Sequence, residues 1–294
     1  MLSIIVPAYN EESNVNIFVE RITQVLEKIN ANNYELIFCL DPSEDRTKDK
    51  IVEEIKKNKK IKLITFSRRF GQSNCIYAGI KNCIGEYCAV IDIDLQDPPE
   101  LLIEMYEKIK KGYDCIYATR TVRKGEGKFR ILLTNIYYYL LNKFGICDIP
   151  KNTGEFRIFS KKIIEQIKES NEFNFFLRGM TPIIGYKHSY INFDRPERDK
   201  GKSKYKIGSF IGAISGIINF SKLISVSIIF YIFLNILFLI YNIFFNFDIK
   251  FIYIILSIIF FNLIMYGIVQ IISNTNFLIM KRKSYIIDEK INFE

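Results

Sequence analysis

The sequence contains no tryptophan and a single histidine, His188. With one imidazole, a cluster of histidines around a metal is excluded, and a Ser-His-Asp triad would depend on that one ring. The six cysteines form no C-x-x-C pair, and most lie inside apolar runs such as ELIFCL, which favours buried free thiols in a reducing compartment. Metal or acid–base chemistry must therefore come from carboxylates.

Charged residues are almost absent from the last quarter of the chain. Between residues 207 and 280, charge is limited to three side chains, Lys222, Asp248 and Lys250. The two uncharged stretches, residues 223–247 and 251–280, each exceed the roughly 20 apolar residues that cross a bilayer as a helix. We therefore predict two transmembrane helices within residues 223–280 and do not expect a purely soluble protein.

The segments that flank these helices predict their orientation. Residues 206–222, KIGSFIGAISGIINFSK, are apolar with several small residues, which predicts an interfacial helix at the membrane surface. The tail, residues 281–294, begins with Lys281, Arg282 and Lys283, and basic residues mark the cytosolic side of a membrane segment. An even number of crossings then leaves residues 1–205 and the tail in the cytosol of a multi-pass protein of the cell (inner) membrane.

The net charge of +9 does not indicate a nucleic-acid partner. Lys and Arg are dispersed, no zinc-finger or RNA-binding motif is present, and an anionic lipid surface is a better partner for basic residues beside membrane segments. The N-terminal apolar run is short and is followed at once by acidic residues, so a signal peptide is not expected. The sequence leaves a homo-oligomer open.

Short apolar runs alternate with amphipathic stretches from residue 1 to about residue 118. The apolar runs predict five strands, LSIIVP, YELIFCL, IKLITFS, EYCAVIDID and YDCIYAT. Helical patterns lie between them at about residues 14–30, 45–57, 72–82 and 99–111. This alternation predicts an α/β domain with a parallel sheet and helices on both faces, in which ligands bind beyond the carboxyl ends of the strands.

The segments beyond those strand ends are acidic and lack phosphate-binding glycines. The first one, VPAYNEE, contains no G-x-G-x-x-G, and no G-x-x-x-x-G-K-[ST] loop occurs. Asp92 and Asp94 are two residues apart, which places both side chains on one side of an extended segment. A bare D-x-D pair is common by chance, but this one stands after an apolar run and before LQDPPE. Carboxylates in this place suit Mg²⁺ or Mn²⁺ between the sheet edge and a phosphorylated ligand.

Five motifs occur together along the chain, SIIVPAYNEE, FSRRFGQ, IDIDLQDPPE, NTGEFR and RPERDKGKSKY. With two predicted membrane helices after them, they resemble family 2 glycosyltransferases of the polyprenyl-phosphate sugar synthase branch, the group of dolichyl-phosphate mannose synthase and the bactoprenol glucosyltransferases. The resemblance implies a GT-A fold for residues 1–205. It also implies inverting transfer of one sugar from a nucleotide sugar, with a UDP-sugar favoured, to undecaprenyl or dolichyl phosphate, with Mg²⁺ or Mn²⁺ as cofactor.

The same resemblance assigns roles to individual residues. It places at the nucleotide sugar Pro7, Tyr9, Glu11, Asp41, Asp92, Arg120, Arg198 and Lys204. It gives as metal ligands Asp92, Asp94 and Gln96. It gives as catalytic residues Asp94, Asp97, Glu155 and Arg157, and as contacts of the lipid phosphate Arg130 and Arg157. The basic run that contains Arg198 and Lys204 also satisfies the positive-inside rule, which is a second explanation for these two residues.

At two positions the chain departs from the family pattern. Asp41 stands in Leu-Asp-Pro-Ser, where the family usually has Asp-Asp-Gly-Ser, so recognition of the base falls more heavily on Asp41. Asn152 opens Asn-Thr-Gly-Glu-Phe-Arg, where relatives often have Asp, and an amide cannot act as a base. A lipid phosphate is already anionic at pH 7 and needs no strong base to react. Either no base is required, or Glu155 or Asp97 takes that duty, and the sequence leaves the choice open.

Two other functions are compatible with the sequence. A transferase of this family could use another membrane acceptor, such as diacylglycerol or a growing polysaccharide, although a chain without tryptophan lacks the Q-x-x-R-W motif of processive synthases. A non-catalytic membrane scaffold could retain the fold, but the intact Asp92, Asp94 and Gln96 argue against it.

Overall fold

A computed structural model describes residues 1–121, 128–145, 147–172, 175–194, 223–244 and 250–293. The chain forms two compact units. The first comprises Met1–Glu126, Pro150–Lys202 and Arg282–Glu294, and the second comprises Gly127–Ile149 and Ser203–Lys281. Compared with the predicted domain, residues 1–205, the first unit lacks residues 127–149 and 203–205 and includes residues 282–294.

The strands and helices predicted from the alternating pattern are all present in the first unit. Strands β1 to β5 are Leu2–Ala8, Tyr34–Leu40, Ile61–Phe66, Tyr87–Val90 and Cys115–Arg120. Helices α1 to α4 are Val15–Lys28, Thr47–Lys57, Gln72–Asn82 and Leu101–Lys110. Each helix forms because its apolar residues recur on one face, as Phe18, Ile22 and Val25 do in α1, and that face is buried.

Further elements follow; of these, only the two apolar helices near the C-terminus correspond to segments predicted from the sequence, residues 223–247 and 251–280. Helix α5 (Lys128–Phe144) belongs to the second unit. The first unit continues with β6 (Thr153–Ser160), α6 (Lys161–Glu169), α7 (Leu177–Ile184) and β7 (His188–Phe193). Helices α8 (Leu223–Phe244) and α9 (Lys250–Ile279) belong to the second unit, and β8 (Ile287–Ile291) returns to the first.

The sheet is mixed rather than parallel, which corrects the prediction. Its strand order is β7-β5-β6-β4-β1-β2-β3-β8. The predicted strands run in one direction, but β6 is antiparallel between β4 and β5, and β8 is antiparallel to β3. Because β6 runs backwards, its first residues lie at the edge where β4 and β5 end. The NTGEFR motif therefore meets the acidic turn after β4.

Helices cover both faces of this sheet, as predicted. One hydrophobic cluster joins Leu2, Ile4 and Val6 of β1 to buried residues of α1, α2 and α4. The other joins Ile5 of β1 to buried residues of α3, α6 and α7. Strand β1 is buried at every position because side chains on both of its faces meet helices.

The C-terminal segment is an edge strand rather than a simple tail. Strand β8 pairs with β3 from Leu63 to Phe66. Just before β8, the ring of Tyr285 makes edge contacts with Phe66 at 6.1 Å and with Tyr77 of α3 at 5.9 Å between ring centroids. The N–H of Ser67 donates to the carbonyl of Ile286 over 3.1 Å. The segment therefore supports β3 at its carboxyl end, where the loop to α3 begins.

The second unit contains the apolar helices. Helices α8 and α9 contact each other through a 3.1 Å hydrogen bond between the hydroxyls of Tyr231 and Ser257, and Phe238 stacks on Tyr253. Among the described residues, one helical stretch, Leu256–Phe277, is long and apolar enough to cross a membrane by length and composition. In α8 the apolar stretch, Val226–Phe238, is too short to meet this criterion. The predicted interfacial helix at residues 206–222 lies outside the described residues.

Candidate functional site

The loops after β1 and β2 interlock at the carboxyl edge of the sheet. The N–H of Asn10 donates to the Ser43 hydroxyl over 3.0 Å, and the Asn10 side chain accepts from the N–H of Glu44 over 2.9 Å. Asn10 has a positive φ of 53°, a conformation that asparagine tolerates better than most residues. Of the predicted donor residues in this segment, Pro7 is buried within β1, whereas Tyr9 and Glu11 are half-buried at the edge. The structure thus brings Tyr9 and Glu11 to the expected place.

Asp41 holds the loop between β3 and α3. It is buried, and its two carboxylate oxygens accept the backbone N–H groups of Phe70 (2.9 Å) and Gly71 (2.8 Å). Gly71 has φ 86° and ψ 160°, a conformation that essentially only glycine adopts. Sequence reasoning gave Asp41 a contact with the nucleotide base. In the structure its observed partners are the backbone of this loop.

The loop held by Asp41 carries two side chains into the site that sequence reasoning did not assign. The guanidinium of Arg69 lies 3.9 Å from the centroid of the Tyr9 ring, which is a cation–π contact. The amide of Gln72, the first residue of α3, donates to Oδ1 of Asp92 over 2.6 Å. The FSRRFGQ motif contained both residues, but nothing in their spacing showed that the loop folds back over two other strand ends.

The acidic segment after β4 is a turn rather than an extended strand, which corrects the reason given for pairing Asp92 with Asp94. Strand β4 ends at Val90, and Leu95 has a positive φ of 58°. A branched apolar residue is uncommon in this left-handed region, where it costs on the order of 1–2 kcal/mol. Asp94 Oδ1 accepts the N–H of Gln96 over 3.2 Å inside the turn. The carboxylates are therefore gathered by turn geometry.

The site is rich in negative charge. The pKa of the Asp92 carboxyl is raised from 3.8 to about 8, first by burial and then by the charges of three other carboxylates, Asp97, Asp94 and Glu155. The charge of Arg120 opposes this rise without cancelling it. In the absence of another cation, the edge therefore favours a protonated Asp92 at neutral pH.

Arg120, which is partly exposed, forms an ion pair with the buried Asp97 beside this cluster. One terminal nitrogen of Arg120 lies 3.1 Å and 3.2 Å from the two oxygens of Asp97, and only 1% of the Asp97 side chain is exposed. Gly154 lies against the pair, because a Cβ there would approach the Arg120 nitrogen to 2.9 Å. The glycine of the NTGEFR motif therefore leaves room for the arginine. The structure places both predicted residues at the site.

Glu155 is bound by an arginine that sequence reasoning missed. Nε of Arg178, near the start of α7, donates to Oε1 of Glu155 over 2.7 Å. Oε2 of Glu155 is buried and has no hydrogen-bond partner among the described residues. No motif indicated Arg178, because its segment approaches β6 only through the tertiary fold. Arg178 therefore engages one oxygen of this carboxylate, and the other oxygen is enclosed by protein.

Arg157, predicted to contact the lipid phosphate and to take part in catalysis, lies beneath the site instead. Its side chain has no exposed surface. It donates to the carbonyl of Gly154 over 2.6 Å and to the hydroxyl of Thr181 over 2.7 Å, and its guanidinium lies 4.9 Å from the centroid of the Tyr117 ring. In this arrangement Arg157 supports the loop that carries Gly154 and Glu155, and it does not reach the edge.

Of the remaining predicted residues, only Asn152 has a described side chain. Asn152 has a positive φ of 60°, and its carbonyl accepts the N–H of Arg120 over 3.1 Å, so this residue makes the turn that leads into β6. Arg130 lies in α5, but its side chain is not among the described ones. Arg198 and Lys204 lie outside the described residues.

The chemistry of the edge fits a divalent cation. Within the described part of the chain, no three His, Cys, Asp or Glu side chains are already arranged as a metal site. However, carboxylate and amide oxygens are the donors that Mg²⁺ and Mn²⁺ prefer, and Mg²⁺ commonly uses one or two carboxylates together with water and phosphate oxygens. Burial and the like charges of Asp97, Asp94 and Glu155 raise the pKa of Asp92, and a bound cation would offset those charges. The residues that could hold a cation are Asp92, Asp94 and Gln96.

An α/β sheet with these loops at its carboxyl edge is a fold of the GT-A type. Among solved structures, the chain is similar to glucosyl-3-phosphoglycerate synthase from Mycobacterium tuberculosis, a structure in complex with Mn²⁺, UDP-glucose and phosphoglyceric acid. The match has a TM-score of 0.52 at 14% sequence identity and covers 74% of this chain and 79% of that one. At this identity the likeness concerns the fold.

The chain belongs to glycosyl transferase family 2, whose family model matches residues 3–168. It is 40% identical over 220 residues to the glycosyltransferase YkcC of Bacillus subtilis (strain 168), a match that covers 74% of this chain and 68% of the relative. It is 31% identical over 223 residues to the bactoprenol glucosyl transferase of Shigella phage SfX, with 75% and 72% covered. The resemblance deduced from the motifs is confirmed, and the protein is a glycosyltransferase.

Proposed function

We propose that this protein is a membrane-bound inverting glycosyltransferase that moves one sugar from a nucleotide sugar, with a UDP-sugar favoured, to polyprenyl phosphate. The observation that carries the proposal is the cluster of Asp92, Asp94, Asp97 and Glu155 at the carboxyl edge of a GT-A sheet. A nucleoside diphosphate is an anion, and it can approach this cluster only if a cation lies between them. The donor site and the cofactor are therefore proposed together.

The proposed cation is Mg²⁺ or Mn²⁺, held by Asp92, Asp94 and Gln96. When bound, it neutralises the charge that develops on the leaving nucleoside diphosphate. On the protein side, Tyr9 and Glu11 line the donor pocket, and Asp41 fixes the adjacent loop through its two backbone hydrogen bonds. We propose, as the family resemblance implies, that three basic residues bind the donor phosphates. They are Arg120, beside the carboxylate cluster, and Arg198 and Lys204, in the basic run after β7.

The contacts of the two carboxylates support a mechanism without a general base. Both oxygens of Asp97 lie against Arg120, and this carboxylate is almost fully buried. Glu155 has one oxygen on Arg178. A carboxylate that is paired with a guanidinium is a weak base, whereas a lipid phosphate carries its own negative charge. We propose that the phosphate oxygen attacks the anomeric carbon of the donor sugar while the bond from that carbon to the nucleoside diphosphate breaks. The side chains orient the two reactants.

The acceptor and the location are proposed from two further observations. A relative that is 31% identical carries the name bactoprenol glucosyl transferase, and bactoprenol is a polyprenyl lipid. One described helix, Leu256–Phe277, has the length and composition of a membrane span. We propose that this span and α8 cross the cell membrane as a pair, with the sheet domain and both termini in the cytosol, where nucleotide sugars are made.

A transfer assay tests the proposal. Purified full-length protein in lipid nanodiscs is incubated with labelled UDP-glucose, UDP-GlcNAc or GDP-mannose and with either undecaprenyl phosphate or diacylglycerol. We expect label only in undecaprenyl phosphate, loss of transfer in EDTA, and recovery with Mg²⁺ or Mn²⁺. Asp94→Asn should fold normally and lose activity. Label in diacylglycerol would replace the acceptor, and full transfer in EDTA would remove the cation from the mechanism.

A further inference from the structure

We propose that Gln72 is a positioning residue that aims Asp92 at the cation, a role that rests on the proposed function. Gln72 donates its amide N–H to Oδ1 of Asp92 over 2.6 Å. The bond joins the start of α3 to the turn after β4, two elements that are 20 residues apart in the chain. It leaves the other oxygen of Asp92 without this constraint and able to bind a cation.

Asp92 must be ionised to bind a cation, and its ionised form lies among like charges. Three nearby carboxylates, Asp97, Asp94 and Glu155, act on it with like charge. A neutral amide satisfies one oxygen without adding a positive charge that would compete with the cation. Glutamine therefore supplies orientation where lysine would supply charge.

The amide itself is held in place by the backbone that precedes it. Asp41 binds the N–H groups of Phe70 and Gly71, and Gly71 turns the chain directly into Gln72. The anchor is buried, but Gln72 itself is exposed. Removing the Gln72 amide therefore opens no cavity in the core, so it should change ligand binding without changing the fold.

The test measures Mn²⁺ binding rather than turnover. Full-length protein in nanodiscs is titrated with Mn²⁺ alone, and free Mn²⁺ is followed by electron paramagnetic resonance. Gln72→Met keeps the length of the side chain and removes the donor. Ser73→Ala, at the exposed neighbouring position on the same helical turn, is the matched control. Thermal unfolding in EDTA is recorded for each variant as a measure of folding.

We expect Gln72→Met to weaken Mn²⁺ binding about tenfold, the lower end of what a hydrogen bond to a charged group contributes. Ser73→Ala should bind as the wild type does, and both variants should keep the wild-type melting temperature in EDTA. In an Asp92→Asn background, Gln72→Met should have no further effect, because the two residues act through one contact.

Wild-type binding by Gln72→Met, an equal loss in Ser73→Ala, or a further loss in the Asp92→Asn background would overturn the positioning role. The proposed function fails in a different way. If Asp92→Asn and Asp94→Asn both bind Mn²⁺ as tightly as the wild type, the cation site itself is absent. If those two variants lose binding while Gln72→Met does not, only the role of Gln72 is wrong.

Discussion

Replacing Asp92 by Asn should stabilise the cation-free protein while abolishing its activity. The pKa of Asp92 is about 8 in the folded chain against an ordinary value of 3.8, so the folded state holds a proton that the unfolded state releases above about pH 4. Because the folded state binds more protons between these values, folding stability falls as pH rises from about 4 to 8. Asparagine cannot ionise and removes this penalty.

The size of the effect follows from the shift. Between pH 3.8 and pH 7, Asp92 ionises only in the unfolded state. At 1.36 kcal/mol per pH unit, this lowers the free energy of unfolding by at most about 4 kcal/mol. Asp92 keeps part of its surface in water, and neighbouring side chains relax, so we expect a stabilisation of about 1–3 kcal/mol at pH 7. Binding of the cation should stabilise the folded wild type and offset this loss.

The assay is thermal unfolding of full-length protein in EDTA between pH 5 and pH 8. The wild type should lose stability across this range, and Asp92→Asn should lose less, so that the two curves separate as pH rises. Asp288→Asn, an exposed carboxylate at the far edge of the sheet, is the control and should follow the wild type. Parallel curves for the wild type and Asp92→Asn would refute the reasoning about excess negative charge.

Three further changes test other parts of the structure. Arg120→Ala should destabilise the fold by up to about 3 kcal/mol in denaturant titrations, because it leaves Asp97 buried and unpaired. In an Asp97→Asn background the same change should cost less stability, and an equal cost in both backgrounds would contradict this. Tyr285→Ala should raise hydrogen exchange in β8 and β3 while leaving β4 protected, and uniform protection would show that the C-terminal segment is not docked through this ring. Burial acts to raise the pKa of Asp114, but hydrogen bonds from Ser160 and Lys187 and the charge of Lys162 outweigh burial and lower this pKa. Asp114→Asn should therefore be less stable than the wild type at pH 7. The difference in stability between the two proteins should shrink below about pH 4.

Local patterns were sufficient for the first half of the fold. Strands β1 to β5 and helices α1 to α4 follow from apolar periodicity because each is a short element that buries one face or two. The position of β6 could not be found in this way. Its direction is set by pairing with β4 and β5, and β5 is separated from β6 in sequence by a helix of the other unit. Strand β8 was missed for the same reason, since its partner β3 lies more than 200 residues earlier.

The site shows a similar division between motif and geometry. Asp92 and Asp94 were found because two carboxylates follow one apolar run, and Asp97 was assigned through the family resemblance. The partners that control them were not: Gln72, Arg178 and the backbone ligands of Asp41 reach the site through tertiary contacts. Arg157 was assigned to a ligand by its motif, but its position on β6 places it among buried side chains. Motifs therefore located the edge, and the fold determined which side chains face it.

The central claim is that a lipid phosphate receives a single sugar on its own oxygen. The most direct measurement is mass spectrometry and phosphorus NMR of the lipid product that the purified protein makes from undecaprenyl phosphate and its preferred nucleotide sugar. We expect one sugar and one phosphate per lipid, joined as a phosphodiester, with the anomeric configuration inverted relative to the donor. A product with two phosphates, with retained configuration, or with the sugar on a lipid that has no phosphate would contradict the account.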